Sequence, residues 1–470
     1  MSTLVMKFGG TSVGSVVAID QATDIILDCA KEWDRVVVVV SAMNGVTDML
    51  INSAKQAVTE EEKVFRAIIT ELRTKHHGTI ERLLPDSTDR TELLSTVDRI
   101  LDELGAFCHS IHILGEITPR AMDAITSMGE RMNARMVAAV LRHKGAKSQA
   151  ADATKFIVTD DQYQNAAPLA DKTRARIQEQ LVPMLEQSVI PVVTGFIGAT
   201  EEGVTTTLGR GGSNYSAAIL GDCLDADEVW NWTDVDGVLT ADPRIVPDAQ
   251  VIPTLSYSEI GELAYFGAKV LHPKTVLPLI QRNIPLRVKN TFNPSAPGTC
   301  IVGEAEQVAG RIKAVTVIRD LSMVTVEGRG MLGVPGIAAR TFAAVASQGA
   351  SVLMISQASS EQSICFVIPS STVPPVIKAL ETEMALELSR RDIDRIWSME
   401  KVIIVTAVGA GLRSTPGVAA KIFGALGQAG INVIAIAQGS SECNLSTVLA
   451  ADDAVNAVHQ IHKEVIINGR

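Results

Sequence analysis

The sequence lacks the excess of positive charge that proteins binding nucleic acid through its phosphates usually carry. It contains 42 lysines and arginines against 53 aspartates and glutamates, which gives a net charge of −11 at pH 7. Neutralising a phosphate backbone requires a basic surface. We therefore expect an acidic soluble protein and no nucleic-acid partner.

Paired cysteines and long apolar runs are also lacking. The six cysteines form no CxxC pair and the eight histidines show no ligand spacing, so neither a metal centre nor a disulfide framework is predicted. The longest uncharged apolar runs, such as residues 36–40, have the length of a strand rather than of a membrane span. No secretory leader opens the chain. We expect a cytoplasmic protein with no membrane partner.

The chain is long enough for several domains, roughly two to four. Residues 1–300 alternate short β-branched runs with helical patterns, which predicts an α/β fold with an open, mostly parallel sheet covered by helices. Residues 59–144 are predicted to be helical without a strand. The Pro- and Gly-rich residues 293–298 predict a domain boundary. The predicted strands are residues 4–8, 36–41, 189–194, 228–233 and 286–289.

Beyond residue 300 the sequence repeats itself. PGIAAR at 335–340 corresponds to PGVAAK at 416–421, and ISQASSE at 355–361 corresponds to IAQGSSE at 436–442, with the same offset of 81 positions in both cases. Each copy reads strand, Pro-Gly turn, helix, strand, strand, helix. The proline is expected in the first helical turn, and a glycine before the second strand is expected to end the helix. In the first copy the predicted elements are strands 352–355 and 365–368 and helix 373–386.

This duplication resembles a tandem ACT module, a small ferredoxin-like βαββαβ domain that binds amino acids between paired copies. Two copies are too few for a solenoid, which favours face-to-face pairing. A duplicated structural domain without a ligand is the alternative. The predicted limits are 1–300 for a catalytic domain, 312–395 for the first ACT domain and 400–470 for the second, with the chain able to interleave between the two ACT units.

A glycine pair follows the first predicted strand, in the string KFGGTS at residues 7–12. Two glycines let the backbone approach a polyanion and point N–H groups at phosphate oxygens, and a neighbouring lysine adds a positive charge for the transferring group. The lysine precedes the glycines, unlike the lysine of a Walker A loop. The residues of this predicted phosphate-binding turn are Lys7, Phe8, Gly9 and Gly10.

KFGGTS resembles the opening of aspartokinases in the amino acid kinase family, and further similar motifs follow in the family's order over essentially the whole chain. They are VSAMNGVT at 40–47, MGER at 128–131, GFIG at 195–198, TTTLGRGGS at 205–213, WTDVDGV at 232–238, DPR at 242–244 and FGAKVLHP at 266–273. The resemblance implies transfer of the ATP γ-phosphate to the side-chain carboxylate of L-aspartate, giving 4-phospho-L-aspartate, the first step of aspartate-family amino acid biosynthesis. Mg²⁺ is implied as the companion of ATP.

That reaction brings two anions together, so catalysis depends on charge neutralisation and in-line positioning. We assign Lys7 and Lys269 as the catalytic positive charges. The amino acid substrate needs a guanidinium fork, hydroxyl or backbone donors and a carboxylate. The predicted aspartate-binding residues are Thr47, Glu130, Arg210, Gly211, Gly212, Ser213 and Asn214. From the resemblance, the nucleotide is expected to contact the turn at Lys7 to Gly10 and also Thr233, Asp234, Leu239, Arg244, Lys269 and Val270.

Two of these positions depart from the family pattern. Leu239 stands where an aromatic residue is frequent, which puts an adenine contact there in doubt. Asn214 stands where many members have aspartate, so a negative charge near the substrate ammonium group is lost and Glu130 is expected to carry more of the affinity. The alternative role for Glu130 is a negative charge at a helix N-terminus, where it interacts favourably with the helix macrodipole.

The strings at 354–361 and 435–442 resemble those of bifunctional aspartokinase–homoserine dehydrogenases, in which a glutamine at the matching position contacts threonine. Gln357 and Gln438 are therefore the candidate effector contacts; solvated residues at a strand end are the alternative. Threonine is favoured over lysine, although lysine-sensitive aspartokinases also carry two ACT domains. We expect no dehydrogenase domain. Because ACT sheets pair between chains, a homodimer or larger assembly is expected.

Two other functions remain open at this point. A kinase of the same fold acting on glutamate, acetylglutamate or a nucleotide is disfavoured, since those relatives lack the paired ACT tail and the KFGGTS opening. An amino-acid sensor with an inactive kinase half is disfavoured by the presence of Lys7, Glu130, Arg210 and Lys269.

Overall fold

The computed structural model describes residues 1–267, 271, 273–303, 311–357, 362–438 and 442–467. The chain forms two compact units. The first unit comprises Met1–Val238, Val251–Tyr257 and Val270–Ala305, and the second comprises Leu239–Gln250, Ser258–Lys269 and Glu306–Arg470. Within the described part of the chain, none of the helices combines the length and the apolar character that a membrane crossing requires.

The described residues among the first 303 form ten strands and eleven α-helices. The strands are β1 (Thr3–Phe8), β2 (Arg35–Val40), β3 (Ser148–Ala151), β4 (Ile190–Thr194), β5 (Ile197–Ala199), β6 (Thr205–Thr207), β7 (Glu228–Thr233), β8 (Thr254–Ser256), β9 (Leu286–Asn290) and β10 (Thr299–Val302). The helices are α1 (Val16–Glu32), α2 (Val46–Thr59), α3 (Glu62–Leu83), α4 (Thr88–Leu114), α5 (Pro119–Thr126), α6 (Met128–His143), α7 (Ala170–Gln180), α8 (Val182–Glu186), α9 (Gly212–Cys223), α10 (Tyr257–Tyr265) and α11 (Leu277–Arg282).

Eight of these strands form one sheet in the order β3-β4-β2-β1-β7-β9-β10-β8, while β5 and β6 form a separate antiparallel pair. All neighbours in the large sheet run parallel except β9 and β10. The central strand β2 reads RVVVVV and is buried along nearly its whole length, as expected for a strand covered on both faces. The predicted open, mostly parallel sheet covered by helices is confirmed.

The local predictions in this unit agree with the structure to within two residues at each strand. Residues 59–144, all of which the structure describes, contain the end of α2, helices α3 to α6 and no strand, as predicted. The domain boundary predicted at residues 293–298 is wrong. These residues connect β9 to its antiparallel neighbour β10, so the compact unit continues beyond them.

The second unit contains one six-stranded antiparallel sheet in the order β12-β13-β11-β14-β16-β15. Its strands are β11 (Ile312–Glu327), β12 (Met354–Gln357), β13 (Ser363–Pro369), β14 (Arg395–Gly409), β15 (Ala435–Ala437) and β16 (Asn444–Ala450). Its helices are α12 (Ile337–Ser347), α13 (Val373–Glu383), α14 (Ala385–Arg390), α15 (Val418–Gln428) and α16 (Ala454–His462). The helix predicted at 373–386 is therefore interrupted before Ala385, whereas the two βαββαβ units are confirmed.

Two long strands are shared between the repeated copies. Residues 321–327 of β11 pair with β13, whereas residues 312–318 pair with the second half of β14. The second copy therefore takes one of its four strands from residues that precede the first copy in the chain. The predicted limits of the two ACT domains stay a prediction, and this exchange is one form of the anticipated interleaving.

The Pro-Gly turn of each copy differs in detail from the prediction. Helix α12 begins at Ile337 and α15 at Val418, and each is preceded by a capping glycine, Gly336 with φ 95° and Gly417 with φ 87°. The left-handed conformation favours glycine at both caps. The prolines therefore precede the caps, and the prediction that they occupy the first helical turn is wrong.

The second unit also includes residues 239–250, which belong to the amino-terminal part of the sequence. Ala241 and Val246 pack in one hydrophobic cluster with residues of β14 and α16. The backbone N–H of Val315 donates to the carbonyl of Thr240 at 2.9 Å, and the Thr240 hydroxyl lies 2.8 Å from His462 Nε2. This segment is thus part of the core of the second ACT copy.

Candidate active site

A cleft with a volume of about 730 Å³ opens in the first unit. Lys7 and Gly10 of the predicted phosphate-binding turn line this cleft. Every residue predicted to bind aspartate lines it as well: Thr47, Glu130, Arg210, Gly211, Gly212, Ser213 and Asn214. The fold therefore brings together residues from β1, α2, α6 and the start of α9, which are far apart in the sequence.

The turn after β1 is held by close backbone packing. The N–H of Gly9 donates to the Trp232 carbonyl at 3.2 Å, and a side chain at Gly10 would begin 3.2 Å from the Ala42 carbonyl oxygen. Phe8, which we predicted to contact the nucleotide, is fully buried, and its ring stacks on Trp232 with centroids 5.8 Å apart. The side chain of Phe8 is therefore not available to a ligand.

Lys7 carries an unpaired ammonium group beside this turn. Its Nζ lies 3.4 Å from the point where a side chain at Gly9 would begin. No residue in the described ranges forms a hydrogen bond or an ion pair with it. Burial lowers the pKa of Lys7 to about 8, because the charged form loses hydration without gaining a partner. Anionic phosphate groups in the cleft would supply that missing partner.

Glu130 is a buried carboxylate in the first turn of α6. Its side chain accepts a hydrogen bond at Oε1 from the Ala42 N–H at 3.1 Å, whereas no described residue donates to Oε2. Burial raises the pKa of Glu130 to about 8, and the hydrogen bond from Ala42 opposes this shift only in part. Glu130 also lies in the first turn of α6, as the alternative prediction of a helix N-terminal charge requires. An ammonium group that reached Oε2 would stabilise the ionised carboxylate.

Arg210 lies in a tight turn between β6 and α9. Gly209 and Gly211 on either side of it both have φ 75°, and Gly211 caps the helix. A side chain at Gly212 would begin 2.6 Å from the Phe196 ring, so only glycine fits there. Arg210 is exposed, and none of the described residues pairs with its guanidinium group.

Helix α9 begins directly at this turn, where the N–H of Gly212 donates to the Gly209 carbonyl at 3.0 Å. Gly212 and Ser213 form its first turn, and Ser213 is 8% exposed. Asn214 follows them, with a buried side-chain oxygen that has no hydrogen-bond partner among the described residues. The N-terminus of a helix favours bound anions, so this turn is suited to a carboxylate.

The described residues predicted to bind the nucleotide beyond the turn after β1 belong to both compact units. Thr233 ends β7, and its hydroxyl donates to the exposed Asp234 at 3.2 Å. Leu239 and Arg244 lie in the second unit, where Arg244 forms an ion pair with Asp242 at 2.7 Å. Lys269 and Val270 lie outside the residues that the structure describes.

The predicted effector glutamines occupy equivalent places in the two ACT copies. Gln357 ends β12 and Gln438 follows β15, and both are exposed. These two strands are the edges of the six-stranded sheet, which curls so that they approach one another. Met354 of β12 and Val448 of β16 pack in one shared apolar cluster. Each glutamine therefore lies at the end of an edge strand of the sheet.

Asp123 is a cleft residue that the sequence analysis missed. It lies in α5, is 1% exposed and lines the cleft. The available signal was its seven-residue spacing from Glu130, which places both carboxylates on one side of a helical pattern. Gln164 and Phe196 also line the cleft, from loops whose approach no local pattern in the sequence indicates.

Comparison with known families agrees with this architecture. The model of the amino acid kinase family matches residues 2–290, and the ACT domain model matches residues 324–384 and 405–465. Bifunctional aspartokinase/homoserine dehydrogenase 1 of Zea mays is 39% identical over 469 residues, which cover 99% of this chain and 50% of that protein. The chain thus spans about half the length of the bifunctional relatives it matches.

Shorter relatives match over most of their length. Aspartokinase 1 of Arabidopsis thaliana is 33% identical, with 99% of this chain and 81% of that protein covered. The crystal structure of E. coli aspartokinase III in complex with aspartate and ADP superposes with a TM-score of 0.80 at 30% identity, and covers 99% of this chain and 100% of that one. The parallel sheet, the cleft at its glycine-rich turns and the paired ACT copies thus occur together in a chain that belongs to the amino acid kinase family and, within it, to the aspartokinases.

Proposed function

We propose that the chain is an aspartate kinase, which transfers the γ-phosphoryl group of MgATP to the side-chain carboxylate of L-aspartate and forms 4-phospho-L-aspartate. The observation that carries the proposal is the cleft that holds a lysine without a partner in the described ranges, a buried carboxylate with one unsatisfied oxygen there, and an exposed arginine at a helix N-terminus. This set is complementary to a substrate with one ammonium group and two carboxylates. Glutamate would offer the same groups on a longer chain.

Each substrate group has a proposed partner. The ammonium group of aspartate would approach Oε2 of Glu130, which has no donor of its own among the described residues. A carboxylate would pair with the Arg210 guanidinium group and the N–H group of Ser213 at the start of α9. The Thr47 hydroxyl and the Asn214 side chain complete the pocket. Orientation by several weak contacts places the reacting carboxylate oxygen for in-line attack.

Lys7 is the proposed catalytic residue for the moving phosphoryl group. A charge placed where negative charge gathers in the transition state lowers the barrier without reorganisation. Its low pKa in the empty cleft would rise on binding of phosphate, since an opposite charge favours the ammonium form. Lys269 is proposed as a second such charge.

The nucleotide is proposed to contact the turn after β1, Thr233 and Asp234, together with Leu239, Arg244, Lys269 and Val270. For Arg244 to contact a phosphate, it must leave Asp242, with which it pairs in the structure. Mg²⁺ enters as part of the substrate MgATP, held mostly by phosphate oxygens and water, because it retains water strongly and needs few protein ligands.

Regulation and assembly are proposed from the second unit. An amino acid, threonine rather than lysine, would bind at the edge strands beside Gln357 and Gln438 and lower kinase activity. An exposed strand edge offers free backbone groups both to a ligand and to a second sheet. We therefore propose a homodimer formed through the ACT sheets. Since all six cysteines are free thiols, we also propose the cytoplasm, although the plant relatives are chloroplastic proteins.

The decisive experiment measures ADP release by the full chain with MgATP and either aspartate or glutamate. We expect turnover with aspartate and at most a small fraction of it with glutamate. Repeating the assay with threonine and with lysine tests the proposed regulation. Equal turnover with glutamate, or none with aspartate, would contradict the proposed substrate.

A further inference from the structure

A buried carboxylate beside the cleft joins three segments of the first unit. Asp123 of α5 accepts hydrogen bonds at Oδ2 from the backbone N–H of Gln164 at 2.9 Å and of Thr207 at 3.0 Å. Its Oδ1 accepts a third from the Thr207 hydroxyl at 2.8 Å. One side chain thereby ties a helix to a loop, residues 160–165, and to the end of strand β6.

Both segments that are hydrogen-bonded to Asp123 adjoin the turn that contains Arg210. Thr207 is the last residue of β6, and Gly209 follows it with φ 75°. A side chain at Gly209 would begin 2.8 Å from Asn165 Oδ1 and 3.1 Å from the Gln164 carbonyl oxygen. The loop therefore packs directly against the residue that precedes Arg210, and Asp123 holds the turn from both sides.

The backbone of this loop needs such support. Gln164 has φ 70°, a left-handed conformation that is uncommon for a residue with a side chain. Such conformations persist where surrounding contacts over-determine them. The hydrogen bond from the Gln164 N–H to Asp123 is one of these contacts, and Gln164 itself lines the cleft.

The burial of Asp123 by itself lowers the stability of the folded protein. Burying a carboxylate costs free energy, and burial raises the pKa of Asp123 while its three donors act in the opposite direction. No ion pair with a described residue compensates for it. The hydrogen bonds to Asp123 instead stabilise the turn at residues 207–211, which places Arg210 and the start of α9 at the cleft.

We propose that Asp123 is a positioning residue for the amino acid substrate: its carboxylate holds the Thr207–Arg210 turn so that the Arg210 guanidinium group meets a carboxylate of aspartate. This inference rests on the proposed function and deepens it. Asp123 does not need to touch the substrate, since its three acceptor contacts are taken up by the protein.

The test compares Asp123→Ala with the conservative Asp123→Asn. Alanine removes all three acceptor contacts, so we expect the KM for aspartate to rise about tenfold or more. The KM for ATP should stay within about twofold of wild type. An asparagine oxygen can accept both backbone N–H groups while its NH₂ group donates to the Thr207 hydroxyl, so Asp123→Asn should recover most of the affinity.

Asp160→Ala is a matched control. Asp160 accepts hydrogen bonds from the N–H groups of Gln162 at 3.2 Å and Ala167 at 2.9 Å in the same loop, yet it does not line the cleft. Both KM values should stay within about twofold of wild type in this variant. Thermal unfolding and calorimetric titration with ADP establish that each variant is folded.

Thr207→Val provides a second route in case Asp123→Ala does not fold. It removes only the hydroxyl contact, and we expect a rise of about fivefold in the KM for aspartate with the KM for ATP unchanged. An unchanged KM for aspartate in folded Asp123→Ala or Thr207→Val, or an equal rise in both KM values, would overturn the inference. Wild-type protein that releases no ADP with aspartate would instead overturn the proposed function.

Discussion

The two units of the molecule differ in the groups that they offer to a ligand: charged side chains in the first unit and strand edges in the second. In the first unit the charged groups at the cleft have few partners among the described residues: half-buried Lys7 has none, and buried Glu130 accepts only from the Ala42 N–H, with no donor at Oε2. In the second unit Arg340 is paired with both Glu383 and Glu387 near the surface. The candidate binding feature there is instead the pair of edge strands, β12 and β15.

This difference separates two kinds of binding. Unpaired buried charge costs stability but provides strong and specific electrostatics for chemistry. A free strand edge costs little and recognises a ligand or another sheet mainly through backbone groups. Changes in the first unit should therefore alter kcat or KM, and changes at the edges of the second unit should alter the response to an effector.

The largest effect is expected for Lys7→Ala. Removing a charge that stabilises the transferring phosphoryl group should lower kcat by about 10²- to 10³-fold. Lys31→Ala is the matched control, because Lys31 is exposed and pairs only with Asp28, and its kcat should be unchanged. Folded Lys7→Ala protein that retained more than about a tenth of the wild-type kcat would remove Lys7 from the catalytic role.

Arg210→Lys should act mainly on the amino acid substrate. An ammonium group cannot reproduce the two parallel hydrogen bonds of a guanidinium group, so we expect the KM for aspartate to rise about 10- to 100-fold. ATP affinity, measured by calorimetry with a non-hydrolysable analogue, should be unchanged. A variant with weakened nucleotide binding and a normal KM for aspartate would place Arg210 outside the substrate pocket.

Glu130 and Lys7 together predict the pH dependence of kcat/KM for aspartate. Each has a pKa of about 8 in the empty cleft, so activity should rise as Glu130 loses its proton and fall as Lys7 loses its own. The profile is expected to be a narrow bell near pH 8. Glu130→Gln should lower kcat/KM about tenfold or more and abolish the acid limb. An acid limb that persisted in this variant would belong to another group.

The same substitution should have a stability effect of known sign. Because burial raises the pKa of Glu130 in the folded state, the folded protein binds this proton more tightly than the unfolded chain between about pH 4.5 and pH 8. Over that window the contribution of Glu130 to stability falls as pH rises. Glutamine does not titrate, so the melting temperature of Glu130→Gln relative to wild type should increase from pH 5 to pH 8.

The smallest effects are expected at the effector glutamines. Gln357→Ala and Gln438→Ala should each weaken threonine binding about five- to tenfold, measured by calorimetry, and leave the uninhibited kcat unchanged. Gln348→Ala, an exposed glutamine at the end of α12, is the control. Linkage requires that aspartate weaken threonine binding by the same factor as threonine weakens aspartate binding.

Three results would contradict the effector assignment. They are the absence of heat with both threonine and lysine, purely competitive inhibition against aspartate, or inhibition that survives the double glutamine substitution. Any of them would indicate that the ACT pair serves only in the association of subunits.

Patterns within one element were sufficient for much of this molecule. The run of valines at residues 36–40 predicts a strand buried on both faces, the glycines at 9 and 10 predict a tight turn, and the offset of 81 predicts two equivalent units. These features depend on side-chain period, backbone freedom and internal repetition, all of which a linear sequence displays. The expectation that Thr47, Glu130 and Arg210 share one substrate pocket came from the resemblance of their motifs to those of aspartokinases.

Other features depended on contacts between residues far apart in the chain. The burial of Phe8 against Trp232, the three donors that surround Asp123 and the exchange of halves between β11 and β14 have no local signature. Neither does the inclusion of residues 239–250 in the core of the second ACT copy. A hydrogen bond or a strand pairing depends on which surfaces meet after folding, and the free energy of many weak contacts selects that arrangement. Short patterns along the chain specify the helices, strands and turns. Which of these elements contact one another is decided only by the packing of the whole folded chain.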